Sequence, residues 1–181
     1  MAKNRNTNTQ KVNKFDSKEM FKIFHEDNFN NFLNFIEKYG INSVDRDGRS
    51  ILLNCIIENK RIWAMYIIKN FNELDVNSKD RRGWSALQFA VQCNFLDMVK
   101  ELLKNENIDI NIADNNGNTA LMQAVQNNLR CYEEIIIKLL EAGMDINNEN
   151  DHGIRPNEFL MTRVNDYIRK NKIELKFKDE E

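Results

Sequence analysis

Apolar residues along this chain fall in short clusters spaced three and four apart, the spacing that lines one face of a helix. In "FDSKEMFKIFHEDNFNNFLNFIEKYG", Met20, Phe21 and Phe24 make one such face and Phe32, Leu33 and Ile36 another. Ser17 stands where it would cap the first helix, so the pattern predicts a helix pair over 16–39. Later clusters pair positions four residues apart: Trp63/Ala64 with Ile67/Ile68, Met98/Val99 with Leu102/Leu103, and Ile135/Ile136 with Leu139/Leu140. Each predicts a helix with one buried face. Residues 1–14 show no such periodicity and carry Lys3, Arg5, Lys11 and Lys14 without an acid, which predicts a flexible polar tail.

The polar stretches between the clusters repeat. "INSVDRDGRSILLNC", "VNSKDRRGWSALQFA", "INIADNNGNTALMQA" and "INNENDHGIRPNEFL" align on Gly48, Gly83, Gly117 and Gly153, at separations of 83−48=35, 117−83=34 and 153−117=36. Six residues before each glycine stands Asn42, Asn77, Asn111 or Asn147. Three before it stands Asp45, Asp80 or Asp114, with Asn150 in the last unit. Asp-x-x-Gly suits a tight turn, because Asp bonds its own backbone and glycine accepts positive φ. Two residues on, Ser50, Ser85 or Thr119 can cap a helix. The small Cys55, Ala90 and Ala124 then let neighbouring helices approach. Each unit is turn, helix, turn, helix, with an apolar face that only a stacked neighbour can bury.

This grammar resembles the ankyrin-repeat family, whose unit carries Thr-Pro-Leu-His-x-Ala. The resemblance covers roughly residues 16–172. It implies an all-α ankyrin-repeat solenoid of stacked helix-turn-helix units joined by β-hairpin-like turns. The expected organisation is the tail at 1–14, a repeat domain over 15–172 and a charged tail at 173–181. Within the domain lie a capping helix pair at 16–39, repeats starting near 45, 80 and 114, and a C-terminal capping repeat from 150. "SILLNC", "SALQFA" and "TALMQA" keep the hydroxyl, the leucine and the small residue but lack the proline and histidine of the signature. Loss of the hydrogen bonds that histidine makes within and between family repeats predicts a stack less stable than a consensus one. The extra residues of the longer periods are expected in the turns around the second helices, as at 127–134. Pro156 falls where the signature has proline, Asn157 replaces its leucine, and the stretch from there reads as a polar end unit.

Composition narrows the chemistry. With 26 basic and 28 acidic side chains the net charge is −2, which removes the counterion-release argument for a nucleic-acid binder. No apolar run approaches the roughly 20 residues of a membrane helix, and the N-terminus has no signal-peptide core, so a cytoplasmic protein is expected. Cys55, Cys93 and Cys131 have no disulfide or zinc spacing and read as reduced thiols. His25 and His152 sit in no nucleophile or metal motif, and Glu133 and Glu134 lie at a helix start where the dipole favours them. No enzyme, metal or cofactor is expected.

Recognition of a protein is what remains. In the family, partners contact the hairpin tips and the inner face of the first helices. Here those positions are Arg46, Asp47, Arg49 and Glu58, then Arg81, Arg82, Trp84 and Gln92, then Asn115, Asn116, Asn118 and Gln126, and finally Asp151, His152 and Ile154. Trp84 follows Gly83, where the repeat accepts any residue, and Trp and Arg dominate binding hot spots. The competing reading is that the Trp84 ring packs locally, whereas Trp63 lies on a core face. Arg46, Arg49, Arg81 and Arg82 would form a ridge suited to an acidic protein partner, with RNA a weaker candidate. The polar end units predict a monomer. In layout the chain resembles stand-alone bacterial ankyrin immunity proteins, which implies a small inhibitor; an adaptor or host-directed effector is the alternative.

Overall fold

The computed structural model describes residues 13–127, 133–160 and Arg169. Most of the 1–14 tail, the centre of the 127–134 turn, Cys131, the end unit beyond 160 and the 173–181 tail lie outside the described residues. Among the described residues eight helices follow in pairs: α1 (Ser17–Glu26) with α2 (Phe29–Tyr39), α3 (Ile51–Ile57) with α4 (Arg61–Asn70), α5 (Ala86–Gln92) with α6 (Leu96–Leu102), and α7 (Ala120–Gln126) with α8 (Glu133–Glu141). A 3-10 turn at Pro156–Phe159 opens the last unit. The first helices stack as α3, α5, α7 and the 3-10 turn, and the second helices as α4, α6, α8. The described residues contain isolated β-bridges and no strand. The architecture is an all-α solenoid.

The expected caps close the repeats. Ser50, Ser85 and Thr119 accept from the backbone N–H of Leu53, Gln88 and Met122 at 3.3, 3.4 and 3.3 Å. At the first helix the residues divide differently. Asp16 is the cap, accepting from Lys18 N–H at 2.9 Å, and Ser17 is already helical. Phe21 is 41% exposed, while Ile23 and Phe35 supply core contacts that the three-and-four spacing did not single out. Asn13 and Lys14 run beside Val44, with Phe15 N–H donating to Val44 O at 3.0 Å. Trp63 locks this cap to the first repeat, its ring 5.6, 5.7 and 4.7 Å from Phe24, Phe29 and Phe32.

Each hairpin is built on one buried acceptor. Asp45 Oδ1 takes the N–H groups of Asp47 and Arg49 at 2.8 and 2.9 Å. Asp80, Asp114 and Asn150 repeat this pair of bonds in their own turns. All four acceptors are buried. The turn closes through a glycine at positive φ, and the next hairpin presses against it: a methyl group on Gly83 would stand 2.6 Å from Asn115 Oδ1 and 2.8 Å from Asn115 N. A second set of bonds joins units lower down. Asn42, Asn77 and Asn111 accept from Asp75, Asp109 and Asp145 N–H in the following unit, at 2.8, 2.9 and 3.4 Å.

The missing histidine is partly replaced. Gln88 occupies its register; its Oε1 accepts from Ser85 N–H at 2.9 Å and its Nε2 donates to Asn118 O of the next unit at 2.8 Å. Leu53 and Met122, at the same register, are buried apolar residues. The Cys55 thiol is buried in the stack, and loss of solvation pushes its pKa well up. Outside, Glu19 accepts from the Tyr39 hydroxyl at 2.6 Å and from Lys38 at 2.9 Å, bonds that hold its carboxyl below the ordinary range.

Two outcomes follow. Asp114→Ala leaves two backbone N–H groups without their charged acceptor and should cost about 2–4 kcal/mol in urea unfolding. Asp114→Asn, which keeps the acceptor as Asn150 does, should cost less than about 1 kcal/mol. For Glu19 the folded pKa lies below the unfolded one, so its contribution is present above the ordinary carboxylate value and vanishes as pH falls through the lowered folded value. Urea midpoints measured on both sides of that window should converge between wild type and Glu19→Gln at the acid end.

Candidate functional site

The hairpin tips form a continuous edge because their backbones bond in sequence. Arg81 N–H donates to Asp47 O, Asn115 N–H to Arg82 O, and Asp151 N–H to Asn116 O, at 3.0, 2.9 and 3.1 Å. The side chains on this edge are not equally available. Asn115 Nδ2 donates to Arg81 O at 2.8 Å, and Asn118 Oδ1 accepts from Asn150 Nδ2 at 2.8 Å. These two amides, predicted as partner contacts, also hold the edge together.

The arginines divide into two environments. Arg46, Arg49 and Arg81 converge on the carboxylate of Asp47 at 3.9, 4.0 and 4.0 Å. Arg82 instead bonds the buried Asp80 carboxylate through Nε at 3.2 Å and lies over the Trp84 ring at 4.8 Å. Its charge is locally matched. Exposed ion pairs of this kind contribute little stability, and their effect here is to fix where the guanidinium planes point.

Trp84 is half-buried, with its ring centroid 5.1 Å from that of Phe89. The local-packing interpretation therefore describes part of the ring, and the rest lines a concavity. That concavity, about 550 Å³, lies where the second and third repeats meet and gathers Arg81, Arg82, Trp84, Gln92, Asn115, Asn116, Asn118 and Gln126 of the predicted residues. Gln123 and Asn127 join them, and the sequence reading named neither. Arg46, Asp47 and Arg49 line a separate hollow of about 310 Å³ with Asp16, Lys18, Phe21 and Asp45, so that three basic side chains face three carboxylates. Asp151 and His152 are exposed on the last turn and line neither; Glu58 is exposed at the end of α3 and Ile154 is half-buried.

The sequence does contain a signal for Gln123. Six residues after the repeat glycines stand Asn54, Phe89, Gln123 and Phe159, one register on successive units. Searching only beside the glycine and at the end of the first helix passes over it. The groove offers amides, guanidinium groups, an indole and the buried Asp114 carboxylate. Asp97, which burial would raise but the bond from Arg61 and backbone N–H bonds draw down, lies elsewhere, on α6. Among the described residues no group of His, Cys, Asp and Glu is placed to hold a metal ion, and no helix is long and apolar enough to cross a membrane.

Truncating the two tryptophans should separate their roles. Trp63→Ala removes the buried centre of the aromatic cluster and should cost about 3–5 kcal/mol in denaturant unfolding, whereas the half-buried Trp84→Ala should cost about 1–2 kcal/mol and stay folded.

The family model for ankyrin repeats (3 copies) matches this chain over residues 14–114 and 64–150. No curated protein matches it.

Proposed function

The chain belongs to the ankyrin-repeat family, and we propose that it works as a small cytoplasmic inhibitor, of the immunity-protein kind, that binds one protein and covers its working surface. An ankyrin stack is a protein–protein interaction module. The observation that carries the proposal is the groove of about 550 Å³ with Trp84 and Arg82 at its rim. A half-exposed aromatic under a held guanidinium is the anatomy of a binding hot spot.

The exposed guanidinium of Arg46 stands one unit away on the same edge. We assign it to an acidic patch of the same partner, where it would mainly raise the association rate. Occlusion suits a rigid face of this size, and the free chain is taken as a monomer. The adaptor reading differs in the number of partners: several unrelated proteins on one surface, rather than one.

The decisive experiment captures binding proteins from the source organism's lysate with wild type and with the Trp84→Ala/Arg82→Ala double variant, both checked for helicity by circular dichroism. One protein retained in stoichiometric amount by wild type, lost from the variant and inhibited on titration, is the expected result; binding should weaken as salt is raised. Several proteins lost together would favour the adaptor. The same proteins on both baits would remove the hairpin edge from the interface.

A further inference from the structure

Among the described residues, Gln123 is the one side chain with two buried polar atoms, its Nε2 donor and its Oε1 acceptor, both without a hydrogen-bond partner. Its side chain sits on α7, is 8% exposed, and lines the groove between the second and third repeats. Leaving an amide buried and unpaired destabilises the free protein, and native proteins keep few such groups.

The equivalent positions show that this is not a property of the repeat. Asn54, one register earlier, donates through Nδ2 to Ser50 O at 3.1 Å and to Asp45 Oδ2 at 3.2 Å. Phe89 is apolar and packs against Trp84. In the third unit Asn118 Nδ2 already takes Asp114 Oδ2, at 3.4 Å. Gln123 has no counterpart of the Asn54 bonds.

What could satisfy it is narrow. A carboxylate offers only acceptors and an ammonium only donors, so either would serve half of the amide. One residue of an extended chain presents N–H and C=O together on the same edge, the pair that adjacent strands exchange. The groove suits an uncharged chain, since Gln126 and Asn127 are neutral, Arg82 and Arg81 face Asp80 and Asp47, and the buried Asp114 carboxylate is taken up by the N–H groups of its own turn. The groove lies between the second and third units, whose helices pack about 8–10 Å apart, the length of about three extended residues.

We propose that the groove binds an uncharged, extended segment of the partner, about three residues of which lie in it, one of them pairing its N–H with Gln123 Oε1 and its C=O with Nε2. This rests on the protein-binding reading and specifies what the partner must present.

The test pans a random linear dodecapeptide library on phage against the full chain, then measures one selected peptide by calorimetry. Wild type, Gln123→Leu and Gln123→Glu are compared, together with copies of the peptide N-methylated at one residue at a time. Both variants should bind about tenfold more weakly. Gln123→Leu should melt no lower than wild type, because the free protein loses no bond. One N-methyl position should cost wild type about tenfold and Gln123→Leu nothing further. Three results would overturn the proposal. Unchanged affinity in both variants places the peptide elsewhere. A lower melting point for Gln123→Leu means the amide is already used in the free protein. A requirement for Asn or Gln in the peptide, with no sensitive N-methyl position, assigns the pairing to a side chain. Failure to select any peptide would also reject it, and a folded partner still lost on Trp84→Ala/Arg82→Ala would leave the interaction-module reading intact.

Discussion

The stack depends on a buried oxygen that accepts two backbone N–H groups at the base of each hairpin. In Asp45, Asp80, Asp114 and Asn150 the geometry is the same although the charge is not. The shared requirement is therefore an acceptor in that place, and the negative charge is secondary. Because this oxygen fixes the turn, the glycine can lie against the backbone of the next hairpin, and the tips bond in sequence from Asp47 to Asp151. A rigid main-chain edge results, whose outward side chains are released from structural duty in most positions. That release is what allows Arg46 and Arg82 to stand where Asp151 and Asn116 stand in other units.

Most of the fold was legible because it rests on local rules repeated in register. The caps at Ser50, Ser85 and Thr119, the positive-φ glycines and the core position of Trp63 each follow from a few neighbouring residues. Errors arose where two residue types satisfy the same rule. Asp16 and Ser17 are both good caps, and only the start of the helix distinguishes them. Phe21 and Ile23 both fit an apolar face, and the choice depends on where the second cap helix packs. Gln88 substituting for histidine needed the position of Asn118 O, a backbone atom one unit away that no spacing reveals. The site was legible at its rim and not at its floor, since the rim is defined by departure from the repeat at Trp84, whereas Gln123 looks like an ordinary polar residue of a helix.

The units differ in how they are fastened, and this bears on where a partner has most effect. In a one-dimensional stack, stability is close to a sum of unit and nearest-neighbour terms, so each interface counts separately. Between the second and third units Gln88 crosses the interface through its side chain, in addition to the Asn77 bond that Asn42 and Asn111 repeat at the other interfaces. Between the first and second, Leu53 replaces Gln88 and Ser78 Oγ meets Ser50 Oγ at 3.1 Å. At the last interface Met122 is apolar and Asn150 bonds Asn118. The groove thus lies over the interface that already has the histidine-like bond, where the two walls are held in fixed relation before any partner arrives. Preorganisation of that kind lowers the ordering cost of binding, and it explains why an unsatisfied amide can be tolerated at Gln123: the α5–α7 contact is secured by other bonds, so α7 keeps its place while one of its buried groups stays unpaired.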